Sequence, residues 1–476
     1  MKNMKQFLMV ILLLLVVSCD LNILPPSMSV VSSGDHIVGR LCCISVRVTK
    51  GGFPLSKKTV KFQKLAGSRW KDLEDEISGQ NVVSTDSDGI ASIGVVFEEP
   101  GTYTIRAILL PENIVKVFNV HVDPVKWMFL MWFAADNNLY ECAVNDLKEM
   151  ERIQGDFSLR IVFDTPFDTE LCYLDDRSQL VCKDIGEMNS GDGDILKMEL
   201  MKVLSVSSEY HGLVIWNHGN AWIYDSLYER IVSLDDTSND ALTTRELKEA
   251  VEEALETSNV GRLNILGMDA CLMGSLEVLY ELKDVADYIV ASASSEPVEG
   301  WNYRFLEMTS YLDSYNLCEK IVDYYFEDLP DGEEITLAVF DTSKVDQFIE
   351  NFNTLSLKIL ELFDEDPGFK KRFESYQENL RIYSISSEGT ERVLVDLGEL
   401  LEFLKNENEL SSYISQIPLE ELIPYSKVSE DLEGLSGISI FFPERNLYTS
   451  FTEDYHTLSF ARDSYWDDVL SSLYGE

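Results

Sequence analysis

Residues 263–286 read LNILGMDACLMGSLEVLYELKDVA: a short apolar run, a polar break at Asp269 and Cys271, then apolar residues at helical spacing. The run has the length of a buried strand, and the spacing that follows predicts a helix. The same unit recurs on both sides. WMFLMWFAAD, LRIVFDT, GLVIWNHG, DYIVASAS and EITLAVFD are continuous apolar runs that end in polar residues, as parallel strands covered on both faces do. LYECAVNDLKEMER, DILKMELMKVLS and TTRELKEAVEEALE are amphipathic patterns between them. This β/α alternation predicts an α/β fold, a doubly wound and mostly parallel sheet with helices on both faces. Ligands on such sheets bind beyond the carboxyl ends of the strands.

Two residues with chemical potential fall there. Of the five histidines, only His218 directly follows an apolar strand and precedes a glycine, Gly219. An imidazole at an exposed strand end can take a proton and return it to a leaving amine. A residue without a side chain lets its backbone N–H approach a developing oxyanion. Cys271 follows its strand and opens the predicted helix, whose N-terminus should lower the thiol pKa and supply backbone donors. The spacing 271 − 218 = 53 residues is close to the His-to-Cys gap of about 50 in caspases.

Upstream the rhythm differs. CISVRVTK, KTVKFQKL, ASIGVVFEE, GTYTIRAILL and VKVFNVHV are strand-like runs between Gly, Pro and Asp turns, which predicts a small β-sandwich over residues 30–123. Residues 84–110, STDSDGIASIGVVFEEPGTYTIRAILL, resemble bacterial immunoglobulin-like domains. Asp86 and Asp88 precede Gly89 as in a tight turn, the commoner use of such a pattern than calcium ligation. The boundary falls at Asp123-Pro124, giving a catalytic core over residues 124–342. Residues 343–476 are expected to be mostly helical, with one further buried strand in GISIFFP.

The N-terminus carries Lys2 and Lys5, an apolar run from Phe7 to Val17, then Ser18 and Cys19. This is the pattern of an export signal over residues 1–18, too short for a membrane span of about 20 residues. Its end, VVSC, resembles the lipobox of bacterial lipoproteins, which implies a lipidated Cys19, a tether over residues 19–29 and a place at the bacterial cell envelope. Seven cysteines remain, an odd number outside the cytoplasm, so at least one thiol should be free. Cys172 and Cys182 flank DDRSQ in a hairpin pattern that admits a cross-strand disulfide. Adjacent Cys42 and Cys43 should face opposite sides of one strand.

WNHGNAW (residues 216–222) and MDACLMGSLEVLYELKDVADYIVAS (268–292) resemble the histidine and cysteine motifs of the clostripain family of cysteine peptidases. FAADNNL from Phe133, GEMNSGD from Gly186, DDTSNDALTTRELKEA from Asp235, SEPVEGW from Ser295 and GISIFFP from Gly437 follow in family order, covering roughly residues 126–476. The resemblance implies a caspase-like fold with His218 as base, Cys271 as nucleophile, and the N–H groups of Gly219 and Cys271 as oxyanion hole. It also implies cleavage after Arg or Lys, with Asp269 in the specificity pocket and Glu296 or Glu299 as a second acidic wall. The other role open to Asp269 is to cap the helix that follows. Family members commonly need Ca²⁺ and cut themselves between the two motifs, where Arg230 precedes Arg245 as the only basic residue after His218. Asp235, Asp236 and Asp240 form an acidic loop there, without a pattern that selects ligands. HGNAW departs from the family's more glycine-rich HGxGW at Asn220 and Ala221.

A formal net charge of −44 repels phosphate backbones, so nucleic acid is not an expected partner. It suits basic peptides and Ca²⁺. The chain is expected to act as a monomer without an organic cofactor, as a lipid-anchored endopeptidase. A second class fits the same sequence, a surface binding protein whose sandwich binds and whose peptidase-like domain is inert.

Overall fold

The computed structural model describes residues 24–31, 36–151, 153–223, 232–327, 332–384 and 392–475. Cys19 and Arg230 lie outside the described residues. The chain divides into two compact units, one of residues 1–125 with Tyr173–Val181 and one of the remainder.

The first unit is built from two β-sheets. One joins Leu41–Lys50 to Ser27–Val30, Phe53–Pro54 and Ile90–Val96; the other runs His36–Ile37, Ile114–Asp123, Gly101–Leu110, Thr59–Ala66, Arg69–Asp72. Side chains alternate across a pleated strand. Val60 and Phe62 of one strand are fully buried, as are Ile105, Ala107 and Leu109 of its neighbour. The same alternation buries Cys42 and exposes Cys43. Asp86 makes the expected turn: its Oδ1 accepts the N–H groups of Asp88 and Ile90, both at 2.9 Å. Gly89 is required there, since its φ is +73° and a Cβ would stand 2.5 Å from the Val48 carbonyl oxygen.

The second unit is organised on a nine-stranded sheet. In chain order its strands are β1 (Val125–Ala134), β2 (Phe157–Asp164), β3 (Thr169–Leu174), β4 (Leu180–Gly186), β5 (Ser208–Trp216), β6 (Leu263–Asp269), β7 (Ala286–Ala291), β8 (Thr336–Asp341) and β9 (Tyr425–Val428); in space the order is β4-β3-β2-β1-β5-β6-β7-β8-β9. β1 with β2, β5 with β6 and β6 with β7 are parallel, while β8 and β9 add antiparallel edge strands. Helices α1 (Tyr140–Met150), α2 (Gly193–Leu204), α3 (Thr244–Ser258) and α4 (Leu276–Leu282) follow the predicted patterns. α3 begins at a capping box in which Thr243 and Glu246 exchange hydrogen bonds, so its start is written locally. Every residue of β2, and all but one of β1, is buried, which explains runs without polar alternation. Cys172 and Cys182 form a disulfide between β3 and β4. Among the described residues no helix is long and apolar enough to cross a membrane.

One expectation is corrected. The helix after Cys271 starts only at Leu276, where the Ser275 side chain accepts the Val278 N–H. Cys271 therefore lies in a loop and gains no helix N-terminus. The segment before the cap turns instead through Leu272, whose φ is +63°. The strand expected in GISIFFP forms as Ser439–Phe441, buried throughout, in a separate antiparallel sheet with Ile382–Ser384 and Arg392–Asp396.

Candidate active site

Register brings the two candidate residues together. β5 and β6 pair so that Trp216 lies opposite Asp269. His218 and Cys271 each lie two residues beyond that pair, at the carboxyl ends of neighbouring parallel strands, and both line one cavity with Leu139, Trp216, Asp269 and Glu296. Gly219 packs directly on the cysteine: a Cβ there would come 2.2 Å from the Cys271 carbonyl oxygen and 2.9 Å from its nitrogen. No side chain fits at that position, and two backbone amides are brought close to the thiol. Ala221 has φ +53°, a conformation that favours glycine, which accounts physically for the glycine usual at this place in HGxGW.

The imidazole is held from the far side. His218 Nε2 lies 2.8 Å from Asn138 Oδ1, on the turn after β1. Asn137 and Asn217 fix that turn, since both carboxamides donate to the same two carbonyls, Ala134 and Leu234, over 2.6–3.1 Å. The thiol is held by the loop after β7. The Glu296 N–H donates to Cys271 Sγ at 3.1 Å, Leu272 N–H to the Ser294 carbonyl at 3.0 Å, and Gly274 N–H to the Ser292 carbonyl at 2.7 Å. Burial pushes the Cys271 thiol up to about 11, partly offset by the Glu296 N–H and reinforced by the charges of Glu296 and Asp269. This reverses the lowering expected from a helix N-terminus.

Beside the thiol the cavity wall is acidic. Asp269 is 3 % exposed, and its Oδ2 accepts the Tyr303 hydroxyl at 2.8 Å and the Trp301 N–H at 3.1 Å. It does not cap the following helix; Ser275 does. Burial raises Asp269 to about 6. Both Glu296 carboxylate oxygens are buried without a well-formed hydrogen bond, and burial together with the Asp269 charge raises Glu296 well above the usual carboxylate range. Glu299 is exposed and does not line the cavity. Asp146 on α1, which the sequence did not single out, lies behind this wall: burial and then the Asp269 charge push it up to about 9. None of Asp146, Asp269 and Glu296 forms an ion pair with a Lys or Arg among the described residues. Its spacing had marked Asp146 only as one more residue of an amphipathic helix.

A second acidic cluster lies at the carboxyl ends of β1, β4 and the short strand Val232–Asp235. Carboxylate oxygens of Asp136, Glu187 and Asp235 fall within 4.8 Å of one another. Of the acidic loop noted in the sequence, only Asp235 turns inward; Asp236 and Asp240 are exposed. In the first unit His36, Cys42 and Asp176 form another such group, with His36 Nδ1 2.9 Å from Asp176 Oδ2.

A half-buried thiol and an imidazole on adjacent parallel strand ends, with the Gly219 backbone packed on the cysteine, are the groups a cysteine peptidase needs. Residues 131–472 match the model described as the clostripain family, Peptidase_C11, and the chain belongs to that family. Solved structures agree in fold. An inactive zymogen C11 protease from Parabacteroides distasonis matches at TM-score 0.56 and 19 % identity, covering 72 % of this chain and 98 % of that one. A secreted C11 cysteine protease from Bacteroides thetaiotaomicron, iotapain, matches at 0.55 and 18 %, covering 72 % and 99 %. A secreted C11 protease from the same organism in complex with an irreversible peptide inhibitor matches at 0.51 and 19 %, covering 71 % and 99 %. No curated protein matches the chain.

Proposed function

We propose that the protein is an endopeptidase of the cell envelope, lipid-anchored through Cys19, that cleaves peptide bonds after Arg or Lys. The observation that carries this reading is the pair of buried carboxyls, Asp269 and Glu296, in the cavity of Cys271 and His218, with no Lys or Arg paired to either among the described residues. Buried acids left in this state are costly unless an ion of opposite sign arrives. A guanidinium or ammonium group on the acyl side of the scissile bond meets that requirement.

The chemistry follows from the placement of the groups. His218 takes the Cys271 proton as sulfur attacks the scissile carbonyl, forming the C–S bond. The N–H groups of Gly219 and Cys271 receive the oxyanion. The C–N bond then breaks with the proton returned to the amine, and water, deprotonated by His218, hydrolyses the thioester. Asn138 orients the imidazole as a neutral acceptor, a positioning role with no charge of its own. The maturation cut is proposed after Arg230.

Fluorogenic peptides ending in Arg, Lys or a neutral residue, tried on wild type and Cys271→Ala, test the reading. The expected result is thiol-dependent hydrolysis of the basic peptides alone. Hydrolysis of neutral peptides at equal rates would overturn the specificity. No hydrolysis by a correctly matured chain would favour the inert binding protein. Mass spectrometry of the purified mature chain reads the lipid on Cys19 and any cut after Arg230.

A further inference from the structure

Two features of the sequence take no part in the peptidase chemistry: the inward-facing thiol of the Cys42-Cys43 pair and the polar turn DDRSQ, residues 175–179. Within the first unit the fold brings them together beside a buried histidine. A ring nitrogen of His36, Cys42 Sγ and a carboxylate oxygen of Asp176 lie within 4.8 Å of one another. We propose that His36, Cys42 and Asp176 bind one Zn²⁺-type ion, which staples the turn around Asp176 to the strands that carry the other two ligands.

Each ligand is placed by its own segment. The strand His36–Ile37 runs parallel to Ile114–Asp123, with His36 opposite Val122. A turn through Gly39, at φ +77°, then leads into Leu41–Lys50, where the alternation of the pleat buries Cys42 completely. The turn that carries Asp176 is closed by Asp175, whose N–H donates to the Gln179 carbonyl at 2.8 Å and whose carbonyl accepts the Ser178 N–H at 3.0 Å. Two further bonds seat it. Arg40 Nη1 donates to Ser178 Oγ at 3.0 Å, and the Cys43 N–H donates to Asp176 Oδ2 at 3.2 Å.

The group is built but unfinished. His36 is 2 % exposed; its Nδ1 lies 2.9 Å from Asp176 Oδ2, while its Nε2 is buried without a partner. An ionised carboxylate only accepts, so Nδ1 carries the proton in that bond, and in the neutral ring this leaves a lone pair at Nε2 with no donor to meet it. Carboxylates paired in this way orient imidazoles that ligate metals. Asp176 Oδ1 is also buried without a partner. Polar atoms left bare in a core are costly, and a cation beside the thiol gives these two a common partner.

The donor set selects the class of ion. One thiolate, one imidazole and one carboxylate make a mixed soft and hard set that suits Zn²⁺, with a fourth position for water or a backbone carbonyl. Ca²⁺ and Mg²⁺ take oxygen ligands instead. Burial and the Asp176 charge hold the proton on Cys42 in the free site. A bound dication displaces it, so each ion taken up releases one proton to solvent as the metal–sulfur bond forms. With His36 and Cys42 sealed from solvent the role is structural, and Asp176, whose side chain is 21 % exposed, marks the side from which an ion enters.

The test uses the full chain as Cys271→Ala, which removes the other thiol that shares a cavity with a histidine and keeps self-digestion out of the measurement. Chelator-treated protein dialysed against Zn²⁺ should retain one ion per chain, and saturating Zn²⁺ should raise Tm by about 5 °C over chelator. Co²⁺ in its place should give a thiolate-to-cobalt charge-transfer band. Cys42→Ser should abolish that band. Asp176→Asn, on a partly exposed turn that leaves the core intact, should lower Zn²⁺ affinity at least tenfold. Cys43→Ser, on the opposite face of the same strand, should change neither. No retained ion in the parent, a band that survives Cys42→Ser, undiminished affinity in Asp176→Asn, or equal loss in Cys43→Ser would each overturn the site.

Discussion

The two acidic clusters of the peptidase unit use similar residues in opposite ways. At Asp136 and Asp235, backbone N–H groups of Ser190, Thr237 and Ser238 point at the carboxylates and fix their orientation, while burial raises Asp235 above the usual carboxylate range. At Asp269 and Glu296 donors are few: Asp269 has a hydroxyl and one N–H, and Glu296 has no well-formed partner. Backbone donors hold the first pair in one orientation, whereas an acid with few donors, Glu296 above all, gains most from a cation that arrives.

The comparison is broken most directly at Asp269. Asp269→Asn keeps the hydrogen bonds to Tyr303 and Trp301 within reach of its carbonyl oxygen but removes the charge. It should lower kcat/KM for Arg peptides by about 10³, roughly 4 kcal/mol of lost charge pairing, with KM rising more than kcat falls. In wild type the same group predicts an acid limb. Its carboxylate form binds the substrate cation, so kcat/KM should fall as pH drops through about 6, where Asp269 takes up a proton. A profile flat from pH 7 to 5 would remove Asp269 from substrate binding.

The placement of His218 and Cys271 beyond neighbouring strands was legible in the sequence because strand ends are. An apolar run long enough for one strand, followed by His218 or by Asp269 and Cys271, places those residues beyond the sheet whatever the details of packing. The acid clusters were only half legible. Asp136 and Glu187 lay inside recognised motifs, yet nothing local distinguishes a carboxylate that turns inward from Asp236 and Asp240, which stay in solvent. Asp146 had even less signal, since an acid on an amphipathic helix is ordinarily on its wet face. The helix start after Cys271 was misplaced for a different reason. MGSLEV continues the apolar spacing backwards past its true cap, Ser275, while the loop before it is shaped by long-range bonds to Ser292 and Ser294. Such bonds leave no trace in a window of neighbouring residues.

Glu277 on α4 sharpens the contrast as a buried acid with no cation to serve. It is fully buried, gives Oε1 to the Phe441 N–H at 2.8 Å and leaves Oε2 without a partner. Burial raises it from the usual 4.5 to about 7. A raised folded-state pKa means the native state holds the proton more tightly than the unfolded chain. Its contribution is therefore full below about pH 4.5 and is lost as pH rises through about 7. Glu277→Gln keeps an acceptor for Phe441 and has no charge to bury. It should be more stable than wild type by up to about 3 kcal/mol at pH 8, with the difference shrinking toward pH 5. Chemical denaturation at both pH values measures this. A pH-independent difference would show that Glu277 stays ionised or is not sealed from water.

The smallest expected effect is the most informative about why the pocket is left under-satisfied. Burial holds the Cys271 proton on, and the charges of Asp269 and Glu296 oppose the thiolate further. A cation in the pocket cancels that opposition, so under the proposed specificity a basic substrate residue would both anchor the peptide and ease the ionisation of Cys271. A small guanidinium such as agmatine should lower the apparent thiol pKa by about one unit, read as the thiolate absorbance of wild type minus that of Cys271→Ala across pH. Asp269→Asn should abolish the shift. If agmatine binds but the thiol titration stays where it was, the acids select the substrate without regulating the thiol.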